Sequence, residues 1–206
     1  MHDKGRRIED VDWFAGSGQD RPDSTDRMDA AIHTEQRLTA MHKMFGTPLG
    51  IEYTDALRVC VRLNARLGFV DAGGPMAQRL VDLVTNEDRP LGLVAEACGE
   101  VGRMAHACRR AGRFREARTL DDPVRSWFAG HRREFGRWYV AAVAGLASDH
   151  AGLNDLDRAV TLLREELDDP RSRVRLHPFG TQALKFVALT EHLERLRWTR
   201  DHDARR

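Results

Sequence analysis

Apolar residues recur along most of the chain at spacings of three and four, which is the period of an amphipathic α-helix. The clearest stripe, between Pro90 and Gly112, consists of Val94, Cys98, Val101, Ala105 and Cys108. A second stripe, richer in aromatic side chains, runs from Val124 to Leu146 and predicts one long central helix. No segment alternates with the period of two that marks a half-buried strand. The pattern predicts an all-α fold, a bundle of about six to seven helices.

Glycine, proline and asparagine separate the other helical segments. They predict helices over about residues 25–45 and 54–67, a third beginning at Pro75, one after an Asn154 cap, and a last one carrying Phe186 and Leu196. The chain therefore divides into an N-terminal tail (1–23), one helical domain (24–198) and a C-terminal tail (199–206). Two interpretations of the first tail stay open, because Trp13 and Phe14 could dock onto a surface or the tail could be disordered.

The charge and the cysteine content indicate which kinds of partner and which cell compartment can be expected. The chain has 33 Lys+Arg against 32 Asp+Glu, so no overall field would gather nucleic acid or anionic lipid, and nucleic acid is not an expected partner. The one local basic cluster, Arg171–Arg175, has no assigned role. Cys60, Cys98 and Cys108 are odd in number and lie in helical patterns, which indicates a reducing compartment and a cytoplasmic protein. The longest uncharged run is far too short to span a bilayer, so no membrane association is expected.

Acidic residues supply the main candidate chemistry. Glu96 and Glu100 are four residues apart in one predicted helix, and Glu134 precedes Gly136 in the next. Carboxylates on two facing helices can hold divalent metal in a helical bundle. Two Mg²⁺ ions held in that way could clamp a triphosphate and position a water molecule.

These segments, within residues 90–167, resemble the MazG-like all-α nucleotide pyrophosphohydrolases, whose motifs read Glu-Glu-x-Gly-Glu and Glu-x-Gly-Asp. Glu96, Gly99 and Glu100 match the first motif, in which Ala97 replaces the second glutamate. Glu134 and Gly136 match the second motif, in which Arg137 replaces the aspartate. The resemblance implies a homo-oligomer that cleaves nucleoside triphosphates with Mg²⁺.

Site roles follow from that resemblance. Glu100 and Glu134 would be catalytic residues and metal ligands, with Glu96 as a substitute ligand. Because an arginine opposes cation binding, the departures imply a chain that binds nucleotide or phosphate with hydrolysis weakened or lost. Arg137 and Arg103 are the candidate ligand-binding residues, since guanidinium groups grip phosphate directly.

Two other interpretations stay open. The glutamates lie off the centre of the buried stripes and could simply be solvated. In addition, the segments around Gly112–Ala117 and Gly152–Ala159 resemble the tetratricopeptide turn, which would imply a helical protein-interaction or regulatory module without catalysis. The two glycines are 40 residues apart rather than at the usual repeat length, and such arrays need about three units.

Overall fold

Eight helices can be bounded in the part of the chain that the structure describes. The structure is a computed structural model, and it describes residue 13 and residues 25–45, 49–86, 89–172, 174 and 180–204. The helices are α1 (Thr25–Phe45), α2 (Ile51–Leu67), α3 (Val70–Asn86), α4 (Leu91–Arg110), α5 (Phe114–Gly130), α6 (Arg132–Gly152), α7 (Leu156–Asp168) and α8 (Thr181–Asp203). These residues contain no strand, so the predicted all-α class is confirmed.

Three helical hairpins close with the same type of turn. Gly68, Gly112 and Asn154 each follow a helix with a positive φ, at 74°, 75° and 63°. The next backbone N–H then donates to a carbonyl five residues earlier, over 2.9 Å, 2.9 Å and 2.8 Å respectively. This is the hydrogen bond of a Schellman motif, which satisfies the last carbonyls of a helix while the chain reverses. The hairpins are therefore α2–α3, α4–α5 and α6–α7.

The hairpins stack in chain order. The first helix of each hairpin packs on the first helix of the next, so that α2 contacts α4, α4 contacts α6, and α6 contacts α8. The second helices follow beside them, with α3 against both α4 and α5, and α5 against α6. α1 packs on α2 and α8 packs on α7, so these two helices extend the ends of the stack. Repeated hairpins that contact mainly their neighbours are the architecture of helical-repeat proteins.

The core runs through the whole stack. All five apolar residues of the predicted α4 stripe are buried, with Val94 2% exposed and the other four fully buried. The N-terminal segment also contributes, because Trp13 is 5% exposed and packs edge-on against Phe186 of α8, with ring centroids 6.4 Å apart. Of the two interpretations of the first tail, docking therefore applies to Trp13, while Phe14 lies outside the described residues.

The predicted helix count is slightly low because the long aromatic helix is in fact two. The backbone leaves the helical region at His131, with φ −118° and ψ 30°, and again at Phe135, with φ −120° and ψ 34°, so the chain is broken at both residues between α5 and the body of α6. Phe128 and Phe135 meet across this break at 6.1 Å, and Phe128 and Trp138 at 5.6 Å. Residues on both sides of the break face one aromatic cluster. The apolar spacing therefore continues through the turn, and the sequence pattern gives no sign of it.

Two predicted boundaries also differ. α3 begins at Val70 and contains Pro75, because the turn at Gly68 returns the chain directly into the helix. Asn154 does not cap α7, since it adopts the left-handed turn conformation. Asp155 is the cap, and its carboxylate accepts a hydrogen bond from the Arg158 backbone N–H at 3.3 Å.

Four further expectations can be compared with the described residues. α8 continues to Asp203, beyond the expected domain end at 198. Of the Arg171–Arg175 cluster, Arg173 and Arg175 lie outside the described residues. No described helix combines the length and the apolar character needed to cross a membrane. The three cysteines are free and buried, and burial raises the pKa of the Cys98 thiol to about 12.

Candidate binding cleft

A cleft of about 580 Å³ lies between α1, α2, α4 and α6. α2, α4 and α6 are the first helices of the three hairpins, so the cleft follows the same side of the stack, and α1 forms its remaining wall. Its lining consists of Ala30, Ala31 and Thr34 from α1; Glu52, Asp55, Ala56, Arg58, Val59 and Arg62 from α2; Glu96, Gly99, Glu100 and Arg103 from α4; and Trp138 from α6. A volume of this size suits a small molecule or a few residues of a peptide.

Trp138 can reach the cleft because Gly99 has no side chain. A Cβ atom at position 99 would lie 2.7 Å from Cζ3 of the indole, closer than real contacts allow. The half-buried ring therefore packs directly on the backbone of α4. The Gly99 that matched a family motif in the sequence has a local packing explanation in the structure.

Glu100 is the most buried charged residue in the lining, with 4% of its surface exposed. Its Oε1 accepts a hydrogen bond from Arg103 at 2.8 Å and forms an ion pair with Arg62 at 3.6 Å. Its Oε2 is buried and accepts no hydrogen bond from the described residues. A carboxylate oxygen left in this state costs about 1–3 kcal/mol, so this atom favours any ligand that brings a donor.

A second ion pair runs parallel to the first between the same helices. Arg58 donates to Glu96 and, at 3.0 Å, to Asp55. Arg58 and Arg62 are one turn apart on α2, as Glu96 and Glu100 are on α4, and the two helices match arginine to glutamate along their contact. At the outer edge, Arg37 of α1 bonds to Glu52 at 3.1 Å, where both side chains are more than half exposed.

The structure brings together three of the five predicted site residues. Glu96, Glu100 and Arg103 line the cleft. Glu134 and Arg137 are exposed on α6 and are not part of the lining. The alternative interpretation, that the glutamates are simply solvated, is wrong for Glu100, which is buried. It fits Glu134, which is exposed. Among the described residues, no group of three or more His, Cys, Asp or Glu is placed to hold a metal ion, and an Mg²⁺ site stays a prediction.

Sequence reasoning missed Arg58 and Arg62 and assigned Trp138 only to the core. A signal for the arginines existed, because two arginines four apart on one helix and two glutamates four apart on another can pair along their contact. Which helices contact each other could not be read from the sequence. Trp138 was hidden by its place in the apolar stripe, since a core side chain and a cleft side chain have the same period.

A second charged cluster, made of Arg109, Asp121 and Asp149, lies away from the cleft and is almost completely buried. It joins α4, α5 and α6, and its side chains are 2%, 0% and 0% exposed. Arg109 donates to Asp121, and to Asp149 at 3.0 Å. Gly145 backs the cluster, because a Cβ atom there would lie 2.7 Å from the Asp121 carboxylate.

Protonation of this buried cluster follows from its charge. One guanidinium cannot neutralise two carboxylates, and burial disfavours the surplus negative charge. Burial accordingly raises the pKa of Asp149 well above its ordinary value, although the Arg109 charge opposes that shift. Burial alone would lower the pKa of Arg109, but the two aspartates raise it above its usual range. The raised pKa favours a proton on the Asp121–Asp149 pair, which would bring the cluster as a whole close to neutral.

Comparisons with known proteins assign no class to the chain. No protein-family model matches it, and no curated protein and no solved structure matches it significantly.

Proposed function

We propose that the chain is a helical-repeat interaction module that binds a peptide segment of a partner protein in the cleft, without catalysis. The observation that carries this proposal is the stack of three hairpins with one cleft along the side formed by their first helices. Repeat proteins use extended surfaces of this kind to bind peptides. The sequence alone indicated only two such hairpin turns, around Gly112 and Gly152, because Gly68 was not recognised as the equivalent of Gly112.

The composition of the cleft supports a peptide ligand. It offers both signs of charge, three small side chains from α1 and α2, and one aromatic surface. Peptides bring backbone and side-chain groups of both polarities, which such a lining can satisfy. Hydrolysis with Mg²⁺ has less support, because Glu134 lies outside the cleft and each lining glutamate of α4 already faces an arginine.

A test begins by selecting peptides from a random library on the purified protein. Ala30→Trp would fill the cleft from an exposed position of α1, and Ala72→Trp places the same side chain on an exposed position of α3 outside the lining. We expect selected peptides to bind the wild type and Ala72→Trp, and to lose binding to Ala30→Trp. Failure to enrich any peptide, or equal binding to both variants, would contradict the proposal.

Nucleotide binding is the second candidate, favoured by the position of Arg62 and Arg103 near Trp138 in one cleft. Guanidinium groups suit phosphate, and an indole can stack on a base. Calorimetry with nucleoside triphosphates and Mg²⁺ tests it on the same pair of variants. Binding lost only in Ala30→Trp would favour nucleotide over peptide. Pyrophosphate release abolished by Glu100→Gln would restore the hydrolytic interpretation.

A further inference from the structure

The last helix of the stack exposes apolar side chains on its outer face. One side of α8 packs on the preceding helices, and its Phe186, Leu189 and Leu193 are fully buried. On the other side, Leu184 and Trp198 are 58% and 61% exposed. The terminal unit of a helical-repeat stack normally presents a polar outer face, because no further repeat covers it. Large apolar side chains at this end of the stack therefore indicate a surface that packs against a partner.

The outer residues of α8 have the spacing of a coiled-coil seam. Alternating steps of four and three residues connect the members of this outer seam, which are Leu184, Ala188, Glu191, Arg195, Trp198 and His202. Ala188 is partly buried and the other five are exposed. Side chains with this spacing stay on one side of a helix along its length. From Leu184 to His202 the outer seam covers about 27 Å of helix, which is enough for a second helix to pack alongside.

The order of side chains makes the outer seam complementary to itself. When two copies of α8 run antiparallel about a two-fold axis at residue 193, Glu191 of each copy faces Arg195 of the other. The layers on either side then place Ala188 of one copy opposite Trp198 of the other, so that a small side chain leaves room for each indole. In a parallel pair each charge would face its own kind. The charges therefore select the antiparallel pair.

The two charged residues of the outer seam are available for this pairing. Glu191 and Arg195 are exposed, and they form no ion pair with another residue in the part of the chain that the structure describes. On the flank of α8 that faces α7, by contrast, Glu194 already forms an ion pair with Arg164. A second copy of the chain would supply both central charges with a partner.

We infer that two copies of the chain form a symmetric dimer by packing their α8 helices antiparallel along the outer seam. A contact between single helices of this length is small, and small interfaces are typical of weak association, so the dimer should dissociate on dilution. No residue of α8 lines the cleft. The inference is therefore independent of the proposed function, and each copy in the dimer keeps its own cleft.

Analytical ultracentrifugation of the full chain over a range of concentrations tests the dimer. We expect the wild type to change reversibly from monomer to dimer as the concentration rises. Glu191→Arg puts like charges in both central layers, so its dissociation constant should rise at least about tenfold, and Arg195→Glu should act in the same way. The control is Glu165→Arg, which makes the same change of charge at an exposed position of α7 outside the outer seam. It should dimerise as the wild type does.

A mixture of the two seam variants tests the pairing itself. When Glu191→Arg and Arg195→Glu chains are combined, opposite charges face each other again in both central layers. The mixture should therefore dimerise about as tightly as the wild type, although neither variant does so alone. Recovery in the mixture also shows that both variants are folded.

Three results would overturn the inference. A wild type that stays monomeric at every concentration would mean that another part of the chain, or a different partner, covers the outer seam. A dimer that neither seam variant weakens, or one that Glu165→Arg weakens equally, would use another surface. A mixture that stays monomeric while circular dichroism shows both variants folded would rule out the pairing of Glu191 with Arg195.

Discussion

Helix α4 carries two arginine–carboxylate clusters that differ in their access to solvent. Near its C-terminal end, Arg109 is enclosed with Asp121 and Asp149, and none of the three side chains is more than 2% exposed. Two and a half turns earlier, Glu100 is held by Arg62 and Arg103, whose side chains are 15% and 14% exposed and line the cleft. The first cluster has more carboxylate than guanidinium, and the second has more guanidinium than carboxylate.

That difference separates a structural role from the binding role that we propose for the cleft. In the enclosed cluster the surplus negative charge can be neutralised only by protonation, because no cation from solvent reaches the buried carboxylates. The same cluster joins three helices. In the cleft the unmet oxygen of Glu100 can be relieved by a ligand. Similar side chains on one helix therefore stabilise the fold at one end and line a solvent-accessible cleft at the other.

The largest expected effect comes from removing the only cation of the enclosed cluster. Arg109→Ala leaves the negative charge shared by Asp121 and Asp149 buried without a counter-charge, and breaking a buried pair in this way costs about 3–5 kcal/mol. Urea denaturation should show that loss in the free energy of unfolding. The neighbouring Arg110 is exposed, and Arg110→Ala should change the free energy by about 0.5 kcal/mol or less. If the two substitutions change the free energy of unfolding equally, the enclosed cluster does not have the structural role assigned to it.

A smaller effect is expected from crowding the same cluster. In Gly145→Ala the new Cβ would press on the Asp121 carboxylate, and overpacking of this kind costs about 1–3 kcal/mol. Gly92 of α4 has open space where its Cβ would lie, so Gly92→Ala should stabilise the protein by about 0.4–1 kcal/mol. Thermal unfolding should show a lower melting temperature for Gly145→Ala and a higher one for Gly92→Ala. A stabilised Gly145→Ala would contradict the close packing at Gly145.

The pH dependence of stability isolates Asp149. Its pKa is raised in the folded chain, chiefly by burial, so the folded chain keeps a proton that the unfolded chain loses above about pH 4. The free energy of unfolding should therefore fall as the pH rises from about 4 through neutrality, by up to about 1.4 kcal/mol per pH unit. Asp149→Asn should flatten this slope. Glu166, whose pKa is also raised by burial, is present in both proteins and cancels in the difference. Identical slopes would show that Asp149 is ionised in the fold.

Much of the helical architecture could be predicted from periodicity. The elements that periodicity failed to predict were missed for physical reasons. The α4 stripe was predicted residue by residue because a buried face imposes the spacing of the helix. The turn at His131 was missed because α5 and α6 bury their aromatic residues against each other, which preserves the period across the reversal. The α2–α3 hairpin was missed because the third helix was expected to begin at Pro75, whereas the turn at Gly68 returns the chain directly into α3 at Val70.

The candidate site was predicted only in part. Glu96, Glu100 and Arg103 are close in sequence, and a single helix is enough to bring them together. Arg58, Arg62 and Trp138 reach them through contacts between helices, which a single sequence does not reveal. The resemblance to a family motif predicted that Glu100 and Glu134 would pair. Glu134 is exposed in the first turn of α6 and does not line the cleft, so the cleft does not support that prediction.

The most direct measurement combines stability and binding in one variant, Glu100→Gln. Glutamine keeps an oxygen that can accept from Arg103, and both arginines reach the cleft, so the free energy of unfolding should fall by about 1–3 kcal/mol, less than in Arg109→Ala. In the same preparation, the affinity for a peptide selected on the wild type should fall at least about tenfold. A variant that unfolds readily, or one that binds the selected peptide as tightly as the wild type, would contradict the proposal that Glu100 takes part in binding.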